Sequence, residues 1–259
     1  MAQLGGPSEF PGGGLDSDEL WVQTMQNARV DNLWEIPQYR YYVRPFASDI
    51  DENGNAAVEP GLVFRFGTKI IAGQNTFGRL LGGGDHAYDP SLFATKIHSV
   101  GVWFSNYISD DILAGLPQAP RVYLFPIGAD VMSIANSPTP DKVRFWNLLD
   151  QQIPPPVTAL SATLDQGNFI PLIDSLNGTM GQTRRFSSFR AYHDAGDEVL
   201  DDEMVFDTRL VGRSVWNTEW MLIIPGLTLN NDPNEGLDRF IEQVKDIKLI
   251  FQTYGNSGN

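Results

Sequence analysis

Residues 95–107 read TKIHSVGVWFSNY. Successive side chains of an extended chain point to opposite sides. His98, Val100, Val102 and Phe104 therefore share one face, and Ile97, Ser99, Gly101 and Trp103 the other. The segment predicts a strand with an apolar inner face, on which His98 is a hydrogen-bonded core histidine. Comparable runs, rich in β-branched and aromatic residues, follow one another from Pro37 onward. They are QYRYYVRPF, GLVFRFGTKII, RVYLFPIG, VRFWNLLD, SSFRAYH, EMVFDTRLVGRSVW, EWMLIIPG and DIKLIFQTY. Turn clusters such as DENGN, GGGDH, PTPD, IPPP, LNGTMG and LNNDPNEG separate them. Many short strands divided by turn signals, without helices alternating between them, predict an all-β fold. The expected architecture is an antiparallel β-sandwich, jelly-roll-like, with one short N-terminal helix.

That helix is read in DSDELWVQTMQNARVDNLW. Asp16 or Ser17 supplies the N-cap, and Leu20, Trp21, Met25 and Ala28 recur at helical spacing. Before it, residues 1–18 are glycine- and proline-rich and read as a flexible leader. Residues 19–259 read as a single β-sandwich domain. Its long proline-rich loops at 127–172 are placed to wrap the sandwich or to form an exposed crown.

The chain has 259 residues, with 18 Lys+Arg against 32 Asp+Glu, a formal net charge of −14, and no cysteine. The length suits one well-buried core. Without cysteine there are no disulfides, thiolate metal sites or thiol catalysis. The acidic balance disfavours nucleic acid and anionic membranes, whose phosphates need clustered Lys and Arg. No basic start is followed by an apolar run, so no signal peptide is expected. Nor is there an apolar stretch of about 18 residues, so no membrane span is expected.

The sharpest local motif combines Asp49, Asp51, Asn53, Gly54, Asn55 and Glu59. Oxygen side chains at alternate positions followed by glycine suit a loop folding around calcium. Glu59 arrives one position early for an EF-hand and Pro60 stands where the bidentate glutamate belongs, so the candidate is a looser structural calcium site in a β-loop. The competing reading is a polar hairpin, since Asn53-Gly54 is a hairpin turn. A second concentration of acids, Asp194, Asp197, Glu198, Asp201, Asp202, Glu203 and Asp207, reads as a solvated loop or as carboxylates for a divalent ion or glycosidase-type chemistry. His86 and His193 each neighbour an aspartate, but adjacent strand residues face opposite ways and form no dyad. No G-x-S-x-G, H-E-x-x-H or G-x-x-x-x-G-K-[ST] occurs. Among the six tryptophans, Trp103 and Trp146 are the candidate binding-surface platforms, since Trp suits both sugar faces and protein interfaces.

Three segments together resemble the C-terminal β-rich region of the A component of insecticidal Tc toxin complexes. In TKIHSVGVWF the matching residues are Ile97, Ser99, Val100 and Val102. In VFDTRLVGRSVWNTEWMLIIP they are Phe206, Arg209, Gly212, Trp220, Leu222 and Pro225. In VKDIKLIFQTYGNSG they are Asp246, Ile247, Leu249 and Thr253. The chain departs from the family at GRSVWN, where the family has an acidic segment, and through 110–190. The resemblance implies a non-enzymatic binding and assembly module of a large toxin-like or extracellular bacterial complex. It would need no cofactor and would act through protein partners and homo-oligomerisation. The alternative reading is a carbohydrate-binding β-sandwich module with calcium in the 49–59 loop.

Overall fold

The computed structural model describes residues 2–4, 17–43, 49–68, 92–107, 120–134, 143–146, 186–193 and 207–257. In chain order the elements are β1 (Ala2–Leu4), α1 (Ser17–Asn27), β2 (Arg29–Val30), a 3₁₀ turn (Leu33–Glu35), α2 (Pro37–Val43), β3 (Gly61–Thr68) and β4 (Leu92–Ser105). They continue with β5 (Arg121–Pro126), β6 (Asp130–Ser133), β7 (Val143–Trp146), β8 (Ser187–Arg190), β9 (Tyr192–His193) and β10 (Trp216–Pro225). A second 3₁₀ turn (Gly226–Thr228), α3 (Pro233–Gln243) and β11 (Asp246–Ser257) complete the described chain.

The strands form two sheets. One runs β1-β11-β4-β9, and the other β2-β3-β10-β5-β8 with β6 joining β10 to β7. All pairings are antiparallel except β4 with β9, which is parallel. The chain is thus mostly strand, in antiparallel sheets with few short helices. One hydrophobic cluster takes Val100, Val102 and Phe104 from β4, with Ile247 and Leu249 from β11. From the other sheet it takes Val122 and Leu124 of β5 and Trp220, Leu222 and Ile224 of β10. Helices close its end. Trp21 and Met25, four residues apart on α1, are buried beside Leu237, Phe240 and Ile241 of α3, and Trp21 Nε1 donates to Val244 O at 2.7 Å. Each such side chain fully withdrawn from water contributes about 1.5–3 kcal/mol.

β10 has a second apolar face. Met221 and Ile223, with Tyr123 and Phe125 of β5, pack against Leu33, Trp34, Tyr39 and Val43 from the first 3₁₀ turn and α2. A strand buried on both faces is apolar at consecutive positions, which is why EWMLII does not alternate.

Several expectations are corrected. The chain has three α-helices among its described residues, not one. QYRYYV is helical because Pro37 pre-sets the first helical position and Tyr39 and Val43 then bury at i, i+4. The turn cluster LNNDPNEG opens α3, with Asp232 Oδ1 accepting the Asn234 and Glu235 N–H groups at 3.0 and 3.2 Å ahead of Pro233. Within EMVFDTRLVGRSVW, residues 209–213 are turn and bend, and the strand begins only at Trp216. His98 is exposed, not in the core. Gln252 pairs with Ser99 and Thr253 with Ile97, so His98 is the extra residue of a β-bulge. That insertion moves Ile97 onto the face of Val100, Val102 and Phe104 and turns His98 outward.

Of the expected leader, Ala2–Leu4 pairs with residues 247–249 of β11 and α1 begins at Ser17. Residues 5–16, His86 and most of the 127–172 loops lie outside the described residues. So does the acidic run apart from Asp207.

Candidate functional site

Two polar constellations are buried, and they differ in kind. The first locks the end of the larger sheet. Arg213 Nε lies 2.8 Å from Asp130 Oδ2, and its Nη2 donates to Oδ1 at 3.2 Å. Asn217 Nδ2 donates to the same Oδ1 at 2.6 Å. Burial pushes the Asp130 carboxyl up, and the Arg213 guanidinium pulls against it. Beside this group β10 bulges between Asn217 and Trp220, where Thr68 Oγ1 accepts the Asn217 N–H at 2.8 Å and the Trp220 indole N–H at 2.9 Å. Gly128 lies under the bulge, where a Cβ would come within 2.3 Å of the Glu219 backbone nitrogen. Ion pair, amide and bulge form one structural lock. Asp207, the described member of the acidic run, is likewise bound into the fold. It accepts from Ser187 Oγ and from the Arg209 N–H, and its backbone bridges Val100.

The second constellation lies under α2 and opens to solvent. Asn32 caps the 3₁₀ turn by accepting the Trp34 N–H at 3.1 Å, and it also accepts the Glu59 N–H at 3.3 Å. The Leu33 N–H donates to Glu59 O at 2.7 Å. These bonds tie the turn to the strand end that precedes β3. Tyr39 then donates its hydroxyl to Glu59 Oε2 at 2.9 Å, with both side chains buried. Burial raises the Glu59 carboxyl above the ordinary glutamate range, and the Tyr39 hydrogen bond partly opposes this. Tyr39 is pushed far up, chiefly by burial and then by the Glu59 charge, so it remains a donor. Around it the rings interlock: Trp34 meets Tyr39 edge-on at 5.0 Å, Tyr39 meets Tyr123 at 5.4 Å, and Tyr42 stacks on Phe186 at 5.5 Å.

Above this aromatic floor is an open cleft of about 1020 Å³, between α2 and the hairpin of residues 49–57. Trp34, Glu35, Arg40, Tyr41 and Asp49 line it, with Ala56 and Ala57 on the hairpin side. Tyr41 is 70% exposed.

Of the five expected calcium ligands, Asp51 and Asn55 meet directly. Asp51 accepts the Asn53 and Asn55 N–H groups at 2.9 and 2.7 Å, and the Asn55 side-chain amide at 3.2 Å. These bonds, led by the Asn55 N–H, hold the Asp51 carboxyl below the ordinary aspartate range. Gly54 takes the positive φ of 83° that the turn requires. Asp49 faces Arg40 and Glu59 turns inward to Tyr39. Among the described residues no group of three or more His, Cys, Asp or Glu converges.

Trp103 is half-buried and its ring face carries the Lys248 ammonium at 5.1 Å. Trp146 ends β7 in register with Asp130. Trp103 does not line the cleft. Of the residues that do line it, the sequence motifs single out Asp49 alone, because a strand reading of QYRYYV hides Arg40 and Tyr41. On a strand Tyr39 and Tyr41 would share a face, whereas on a helix they part, one to the core and one to solvent. No family model matches the chain, and no match is found among curated proteins or solved structures.

Proposed function

We propose that the chain is a non-catalytic binding and assembly module of a secreted, toxin-like bacterial complex, requiring no cofactor and associating with protein partners and with copies of itself. One observation carries it. On β7, which pairs with β6 alone among the described strands, Val143 and Phe145 stand out to solvent, Phe145 with 75% of its surface exposed. An apolar face on a sheet edge is a template for pairing with another chain. The buried ion pair of Asp130 with Arg213 and the half-buried Asp207 are held in structural contacts. The jelly-roll-like sandwich belongs to the same proposal and is supported by the cluster that both sheets feed. No helix among the described residues is long and apolar enough to cross a membrane. Light scattering behind a sizing column tests the reading. A discrete oligomer that Phe145→Glu dissociates is the expected result. A wild-type chain that stays at 28.8 kDa over the accessible concentration range overturns self-association.

A further inference from the structure

We propose that the cleft between α2 and the 49–57 hairpin binds a neutral pyranose glycan, with Tyr41 as the stacking ring and Arg40, Asp49 and Glu35 as the hydroxyl partners. The proposal is independent of self-association through β7.

The argument begins with Tyr41. A tyrosine this exposed is ordinarily free to move, but here its ring is held edge-on against Tyr42, with centroids 4.9 Å apart and planes at 88°. Tyr42 in turn stacks on Phe186 and packs near Phe125 at 6.0 Å. The exposed ring is thus anchored to the buried aromatic layer, and a pre-positioned ring loses little freedom when a ligand covers it. Below it, Trp34 is fixed by its edge contact with Tyr39.

The polar lining narrows the ligand class. Arg40 Nε lies 3.8 Å from Asp49 Oδ2, an ion pair too long for a direct hydrogen bond. A hydroxyl donates and accepts at once, so it suits a guanidinium and a carboxylate placed side by side at that separation. Glu35 adds a second carboxylate. Among the described lining residues two carboxylates face one guanidinium, and on a chain of net charge −14 this disfavours phosphorylated or uronate ligands. A purely apolar ligand would strip water from three charged groups without replacing their hydrogen bonds. A basic peptide would be drawn by the same excess of negative charge, and an oligolysine control separates it from a sugar. A neutral pyranose avoids both penalties. Its C–H face covers the tyrosine ring while its equatorial hydroxyls reach the charged rim. The cleft volume lies at the upper end of the range for small-molecule sites.

The full chain is screened on an array of neutral, anionic and cationic glycans, with oligolysine as a peptide control. The strongest neutral glycan is then titrated calorimetrically. Binding confined to neutral glycans is expected. Tyr41→Ala should weaken it by about tenfold or more, a loss of about 1.4 kcal/mol. Tyr41→Phe should retain it, and Arg40→Ala should weaken it without changing the melting temperature. Three results overturn the proposal: no neutral glycan above background, an affinity that Tyr41→Ala leaves unchanged, or binding restricted to oligolysine, which would assign the cleft to a basic peptide.

Discussion

The two faces of the seven-stranded sheet both bury side chains of β10 and β5 but handle polarity in different ways. The face toward β4 and β11 mixes the aliphatic Val122, Leu124, Leu222 and Ile224 with Phe64, Phe66, Trp216 and Trp220. Its strongest polar group, Arg213–Asp130–Asn217, sits at the margin, where charge meets charge directly. The face toward α2 is aromatic, and its acid, Glu59, meets only a neutral phenol. The first arrangement opposes burial with a cation and an amide. The second opposes it with a phenol hydroxyl alone. Rigidity lies on one side of the sheet and the accessible chemistry on the other.

The largest effect expected is loss of the ion pair. Arg213→Ala leaves Asp130 buried without its cation and should cost about 3–5 kcal/mol, read as a fall in the urea midpoint. Adding Asp130→Asn should recover part of that cost, because the stranded charge is then gone. A cost under about 1 kcal/mol would show that water reaches the pair, and the contrast between the faces would fail.

Next come paired truncations on adjacent positions of β10. Leu222→Ala on one face and Ile223→Ala on the other should each cost about 2–5 kcal/mol, since both side chains are fully buried. If Leu222→Ala keeps that cost while Ile223→Ala drops below about 1 kcal/mol, α2 is a loose cover and not a packed layer.

How much of this was legible in the sequence follows from the same two faces. The all-β class could be read because strand periodicity and turn chemistry are local signals. β4, β5, β10 and β11 fall where their apolar runs stand. The bulge at His98 could not be read, because it is set by the register between Ser99/Ile97 and Gln252/Thr253, some 150 positions apart. The layer over the outer face left a trace that alternation alone does not decode. EWMLII and RVYLF are apolar on both faces and so demand cover on both sides. The cover is QYRYYV, whose aromatic content suggests a strand but whose leading proline and i, i+4 pair make a helix once there is a face to pack on. The cleft was hidden for the same reason, since Arg40 and Tyr41 acquire a common lining with Asp49 only when that segment is helical. The oxygens of the calcium motif already have partners within the chain. Backbone N–H groups of the turn take up Asp51, and Tyr39 takes up Glu59.

The smallest expected effect is the most specific to the outer face. Glu59→Gln keeps an oxygen for the Tyr39 hydroxyl and removes the charge, so at neutral pH it should stabilise the fold by on the order of 1 kcal/mol. The sign of the pH dependence follows from burial. The folded chain holds the Glu59 proton to a higher pH than the unfolded chain does. Between the ordinary glutamate value and the raised one, the folded state therefore binds more protons. Stability from this group is full below that window and is lost as pH rises through it, after which the deficit is constant. The variant has no such proton. The difference between wild type and Glu59→Gln should vanish on the acid side and open in favour of the variant as pH rises, with all other titrations cancelling in the comparison. Urea midpoints of both proteins at several pH values measure it. A difference that is flat with pH, or that opens in favour of wild type, would mean that the Tyr39 hydroxyl fully offsets the burial of Glu59. The outer face would then hold its acid without a counter-charge and without cost.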